Sequence, residues 1–501
     1  MLQTSSDYQT FTYQTRPILN GEELPILTAY ASLMSLIERK LFALLVSGHS
    51  ATQLKSEFLR RFDITARQFN AIRVQLEGKI ASVKEVRENR IETLKGQIKS
   101  IESSLKKMRQ KQDKAFVIHQ KTRRVAILKT RLARLEQDKA EGRIRLCFGS
   151  RKKFHAQHDL AANGYASHQE WKDDWTKTRS SSFFLIGSKD ETGGNQSCVA
   201  SLAEDESITL RLRLPNALSQ YGKYLVLPNI VFPYGHDVIT SALRKNLQGE
   251  NPVAISYRFI LDEKGYRVFV SLPVQKPQRV SQQNVGVIGL DINADHLALV
   301  ETDRFLNPIR KETIPLCTYG ASKNQTKARI GDAVKKVIQL CQQAKKPLVI
   351  EKLSFGKKKC TLRESGARYA RMLSSFVYSS ITAHVKSRAF RCGICVHEVN
   401  PAYTSLIGRV KFMKRYGLSV HHSAALCIAR RCLGGSERLP RHETKVYDGK
   451  GGHVTLSVPV RNRNEHVWTS WRAVRKELLA AHVAHPKTHK RSSGSASAHL
   501  L

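Results

Sequence analysis

VGVIGLDIN (residues 285–293) is an apolar run closed by one acid, and PLVIEKLSF (347–355) repeats the pattern. Neither run alternates, which is the mark of a strand covered on both faces rather than one half-exposed to water. Between them, HLALVETD (296–303) and KETIPL (311–316) supply two further strands, and KNQTKARIGDAVKKVIQLCQQAKK (323–346) reads as an amphipathic helix. Beyond them, TLRESGARYARMLSSFVYSSITAHVKSRAF (361–390) reads as a second helix and ICVHEVNPAYTS (394–405) as a last strand. KRYGLSVHHSAALCIARR (414–431) is the final helix, small-residue-rich and opened by two adjacent histidines.

A three-strand meander followed by helix, strand, helix, strand and helix is the order that an RNase H-like α/β domain requires. Asp291 ends its first, central strand and Glu351 ends the strand after the first helix. In a parallel pair those ends lie side by side, so two carboxylates meet at one edge of the sheet. One acid after an apolar run would be a solvated strand cap. Two at matched ends give the oxygen ligands that hard divalent cations take, and two such ions ~3.5–4 Å apart can activate water and stabilise a leaving oxygen in phosphodiester cleavage.

Composition points the same way. The 501 residues carry 83 Lys and Arg against 42 Asp and Glu, a net charge of +41 spread along the chain. A mixed-sign surface does not explain a two-to-one imbalance, and nucleic acid is the partner it fits best. No segment has the ~18 uncharged apolar residues that span a bilayer; LMSLIERKLFALLVSG (33–48) is interrupted by Glu38, Arg39 and Lys40. The start lacks a basic region followed by an apolar one, which argues against secretion. Nine irregularly placed cysteines suit a reducing compartment.

The length predicts about three domains at roughly 150 residues each. Residues 1–25 contain an extended start. Residues 26–145 read as helical: two or three helices over 26–82, with Thr65 as an N-cap, then two heptad runs. These are Ile91, Leu94, Ile98, Ile101, Leu105 and Met108, and Val125, Leu128, Leu132 and Leu135, which predict a folded-back hairpin. Over residues 84–145, 19 basic side chains face 8 acidic ones, a surplus of 11. From 146 the period becomes two: SITLRLRLP (207–215) alternates Ile208, Leu210, Leu212 and Leu214 with Thr209, Arg211 and Arg213. Residues 146–280 are therefore expected to form a β-barrel or sandwich. GSKDETGGNQS (187–197) lacks the Gly-Lys-Ser/Thr of a phosphate loop and reads as a plain loop. QKPQRVSQQN (275–284) is a linker to the α/β domain at 285–433, and 434–501 reads as an irregular extension with a disordered tail.

GLDIN, VIEKLSF and VNPAYTS resemble the three signature blocks of the TnpB or OrfB proteins of bacterial insertion sequences, RNA-guided nucleases related to the CRISPR type V effectors. The likeness is strongest over 285–433, the RuvC-like domain. It implies a helical recognition region at 26–145 and a wedge-like barrel at 146–280 joined by strand(s) from 1–25. It also implies a guide RNA, a double-stranded DNA target, Mg2+ or Mn2+ (two ions), and a prokaryotic cytoplasm with the protein on the nucleoid. Asp291 and Glu351 fall on the family's first two catalytic positions. Arg211, Arg213, Lys357, Lys358, Lys359, Arg409 and Lys411 are the basic residues expected to meet RNA or DNA.

Two departures matter. Relatives lead from a YTSQTC-like motif into a four-cysteine zinc ribbon, whereas here YTSLIGRVKFMKRYG (403–417) follows. Cys392 and Cys395 form a lone CxxC, so no structural zinc is expected. Relatives also begin the last helix with an Asp, whose position His421 takes here, with Ser423 at the following Asn. Imidazole is a competent ligand and a base near neutral pH, so His421 is the third candidate catalytic and metal-binding residue, His422 the second choice and Glu398 a substitute acid. An active Asp-Glu-His nuclease, a weakened one, an RNA-guided binder that does not cut, and a guide-free RNase H-like transposase all stay open at this point.

Overall fold

In the computed structural model, residues 7–110, 115–249, 251–353, 378–438, 444–447, 453–456 and 464–484 are described. The chain divides after Gln275 into two units, each treated by itself.

The first unit begins with strand β1 (Tyr8–Thr15), followed by helices α1 (Glu23–Val46), α2 (Ala51–Phe62), α3 (Ala66–Gln110) and α4 (Ala115–Ala140). Thr65 starts α3 with a reciprocal cap: its hydroxyl accepts from the Gln68 amide at 3.2 Å, and the Gln68 side chain accepts from the Thr65 amide at 2.9 Å. Nothing in the 45 residues that follow interrupts the helix, so the 66–83 segment and the first heptad arm are one rod, roughly 68 Å long at 1.5 Å per residue. Its row Leu94, Ile98, Ile101 and Leu105 packs on Val125, Leu128, Leu132 and Leu135 of α4. Lys95–Glu136, Lys129–Glu102 and Lys139–Glu88 bridge the two arms. These pairs engage three of the hairpin's few acids within the hairpin itself.

The region expected to be β from residue 146 instead opens with α5 (Arg151–Ala156) and α6 (His168–Arg179). Ser150 and Ser167 cap them, and Trp171 is buried and stacked on Trp175 with ring centroids 5.4 Å apart. Local capping and aromatic burial set these helices without a long periodic signal. Then come β2 (Ser182–Leu185), β3 (Cys198–Leu202), β4 (Ile208–Arg213), β5 (Tyr224–Ile230), α7 (His236–Gln248), β6 (Ser256–Asp262) and β7 (Gly265–Gln275). They form two antiparallel sheets, β1-β7-β6-β2 and β3-β4-β5, rather than one closed barrel among the described residues. In the 187–197 loop, buried Asn195 donates to the Leu185 and Ile255 carbonyls and accepts from the Ser197 and Cys198 amides, so this loop clamps strands.

The second unit contains β8 (Ile288–Ile292), β9 (His296–Thr302), β10 (Pro308–Pro315), α8 (Lys323–Ala344), β11 (Leu348–Glu351) and β12 (Val396–Val399). Its sheet runs β10-β9-β8-β11-β12: the first three strands are antiparallel neighbours, and β8, β11 and β12 are parallel. This is the strand order read from the sequence. Because side chains alternate along a strand, Ile288, Leu290, Leu348 and Ile350 pack on α8 and the Tyr378–Arg391 helix. Val287 and Val349 face the other way, against Ile428 and Ala429 of the Val420–Cys432 helix.

That helix lies close to the central strand. A Cβ on Gly289 would come 2.0 Å from the Ala425 carbonyl, and one on Gly408 would come 2.4 Å from that of Ser423. Small residues on both sides set the spacing, and the spacing fixes the helix end that carries the two histidines. The 434–484 stretch is not irregular throughout. It forms the strands β13 (Thr444–Tyr447) and β14 (His453–Leu456) and a Val467–Ala484 helix. Trp471, Val474 and Leu478 of that helix are buried with Val300, Ile407 and Leu426. No helix among the described residues is long and apolar enough to cross a membrane.

Candidate active site

Asp291 and Glu351 follow directly on Leu290 and Ile350, which are register partners in the parallel β8–β11 pair. The two acids therefore sit on neighbouring strands about 4.8 Å apart, and both have the parity of Gly289 and Val349. They belong to the face that carries the Val420–Cys432 helix, at one edge of the sheet.

Ser419 caps that helix. The next turn separates the two histidines, since neighbours diverge by about 100° around a helix. His421 Nδ1 lies 3.3 Å from Asp291 Oδ2, and its ring meets that of His296 edge-on with centroids 4.8 Å apart. Hydrogen bonding to Asp291 raises the His421 pKa against the opposing effect of burial. His422 turns toward β10, with Nδ1 2.8 Å from Ser419 Oγ and Nε2 3.1 Å from both Thr313 Oγ1 and the Glu312 carbonyl. Burial chiefly lowers its pKa. Of the two histidines, His421 is thus the one beside Asp291.

Several partners of the acids were given no role by the sequence, although Asn293 lies in GLDIN and Thr404 in VNPAYTS. Asn293 Nδ2 donates to Asp291 Oδ2 at 3.0 Å. His296 pairs through Nδ1 with Asp295 at 2.7 Å, and its Nε2 lies 3.4 Å from Asn293 Nδ2. Thr404 Oγ1, buried at the start of the helix after β12, donates to Glu351 Oε1, and Tyr378 OH donates to the Glu351 carbonyl. The signal for Asn293 and His296 was their place in the turn after the first acid, because a tight β8–β9 hairpin returns them to the strand end.

Glu398 does not substitute for a missing acid. It pairs in register with Ile350, so its parity puts it on the opposite face from Glu351, and Lys386 Nζ holds it at 2.8 Å. Ser423, Ala424 and Ala425 are fully buried.

The basic residues divide. Arg211 is exposed and Arg213 half-buried on one face of β4, their guanidinium carbons 5.0 and 5.8 Å from the Tyr224 ring centroid. Arg213 is also tied to the Lys223 carbonyl and to Asn216. Arg409 is 8% exposed, and Lys411 donates to the Ser436 carbonyl at 2.8 Å while burial lowers its pKa. The basic segment Arg409, Lys411, Lys414 and Arg415, expected to meet phosphate, is split by the structure: it winds into a π-helix, Gly408–Met413, with Arg409 turned inward, and Lys414 and Arg415 are its exposed cations. Lys357, Lys358 and Lys359 lie outside the described residues.

Two carboxylates at one edge suit magnesium or manganese, which take one or two protein carboxylates and complete their shell with water and substrate phosphate. Among the described residues, no three His, Cys, Asp or Glu side chains stand together as a ready cage. A phosphate-completed site does not need one.

No protein-family model matches this sequence, and no curated protein does. Among solved structures, the chain is similar to T. thermophilus RuvC in complex with a Holliday junction substrate, at 17% identity over 28% of this chain and 89% of that one, TM-score 0.20. It is similar to Cas12i1 in an R-loop complex before target DNA cleavage, at 9% identity over 71% of this chain and 61% of that one, TM-score 0.31. A CRISPR-Cas12f ternary complex matches at 11% identity over 84% and 98%, TM-score 0.20. The chain thus spans about three fifths of the Cas12i1 length. At these scores the likenesses carry no argument.

Proposed function

We propose that this chain is an RNA-guided, divalent-metal-dependent DNA endonuclease of RuvC type, as the resemblance to TnpB proteins of insertion sequences implies. The observation that carries the reading is the pairing of Asp291 and Glu351 on adjacent parallel strand ends, on one face, with His421 against Asp291. Asp291 and Glu351 would hold magnesium or manganese, which when bound supplies Lewis acidity to the scissile phosphate and lowers the pKa of water. The hydrogen bond to Asp291 favours the protonated form of His421, and in its neutral form the imidazole can serve as ligand or base. The cationic surface would bind guide RNA and heteroduplex through their phosphates, leaving sequence to base pairing.

A second reading has its own support. His421 stands where an acid would complete the set, which favours a guided DNA binder that does not cut. Purified protein with its co-purified RNA, incubated with matching duplex and magnesium, tests both. Cleavage is expected, with loss in Asp291→Ala and Glu351→Gln. No cutting above the Asp291→Ala background overturns the nuclease and leaves the binder. Absence of co-purified RNA removes the guide and favours a guide-free transposase.

A further inference from the structure

Each acid accepts from a neutral side chain, Asp291 from Asn293 and Glu351 from Thr404, and the one on Glu351 arrives by an unusual route. After β12 the chain turns through Tyr403, a non-glycine residue in the left-handed region with φ 60°. That turn starts the Thr404–Ile407 helix with Thr404 only 3% exposed. The Thr404 hydroxyl is in hydrogen-bond contact with Glu351 Oε1 and also lies 3.2 Å from the Pro401 carbonyl. It has one proton to give, and a carboxylate is the stronger acceptor. The turn is fastened from the Val420–Cys432 helix: Arg431 donates to the Asn400 carbonyl and, at 2.9 Å, to that of Ala402. Glu437 in turn holds the Arg431 guanidinium. A left-handed residue of this kind persists only where its surroundings impose it.

We propose that Thr404 is a positioning residue for Glu351: its hydroxyl fixes one carboxylate oxygen and so pre-orients the group for the metal that Glu351 and Asp291 would hold. Arg431 keeps the delivering turn in place. The inference rests on the nuclease-site reading and deepens it. A freely rotating Glu351 would have to lose side-chain entropy on binding metal, and a pre-oriented one has already lost it.

Manganese binding by the full-length protein, followed by electron paramagnetic resonance without substrate, tests the role apart from cleavage. Wild type should bind Mn2+ and Asp291→Ala should not. Thr404→Val and Thr404→Ala should each weaken binding about 10-fold or more, the range seen when partners of metal-ligating groups are removed, and Thr404→Ser should restore it. Affinity that follows the hydroxyl (Ser strong, Ala and Val weak) supports the role. Affinity that follows the methyl (Ser as weak as Ala) overturns it, and so does wild-type binding by Thr404→Val. Equal Mn2+ binding by wild type and Asp291→Ala would instead bring down the site itself, and this inference with it.

Discussion

The two adjacent histidines have opposite electrostatic fates. In metal-free protein, histidine NMR titration should place His421 above the usual value of about 6.5 and His422 below it. The sign of each contribution follows by linkage. The His421–Asp291 pair stabilises the fold fully below the unfolded pKa and is lost as pH rises through the raised one. Half-buried His422, whose pKa is lowered, opposes acidification, and its contribution to stability is lost as pH falls below about 6.5 toward the depressed value. A reversed order of the two titrations would contradict the geometry. His421→Ala should abolish cleavage, whereas His422→Ala should retain it and instead loosen the contact of the helix with β10, measurable as a lower Tm. The two acids were legible because each closes an apolar run. Asn293, His296 and Thr404 were not, because their contacts depend on a hairpin turn and a left-handed residue, which have no sequence period.

At the scale of elements, close approach is the decisive quantity. Gly289→Ala puts a methyl 2.0 Å from a backbone carbonyl that no side-chain rotation can relieve. The helix must move, and overpacking of this kind costs about 1–3 kcal/mol. Chemical denaturation should read that loss, and cleavage should fall further than stability because the moving helix carries His421. Trp471→Ala deletes a fully buried indole whose Nε1 donates to the Glu437 carbonyl at 2.8 Å. A cost of about 3–5 kcal/mol is expected, and an unchanged unfolding midpoint would show that the Val467–Ala484 helix does not dock. This helix was missed because a polar stretch of sequence precedes it, while its burial depends on an apolar face made by residues remote in the chain, among them Val300, Ile407 and Leu426. The heptad rows, by contrast, were legible, because period alone fixes which side of a long helix is apolar.

Across the whole molecule the surplus of positive charge governs association. Binding to nucleic acid should weaken steeply with salt, by about 10^3-fold or more between ~50 and ~200 mM if six or more phosphates are engaged. A shallow dependence measured by fluorescence anisotropy would argue against a phosphate-tracking surface. The sequence by itself determined the charge, the heptad hairpin, the strand order of the second unit and the two acids, because these follow from local composition and periodicity. The tertiary structure decided which histidine meets Asp291, that Arg409 turns inward, that the β region forms two sheets behind two short helices, and that Thr404 reaches Glu351. Each of those depends on register, turn conformation and the distance between backbones, which are set only when remote segments pack together.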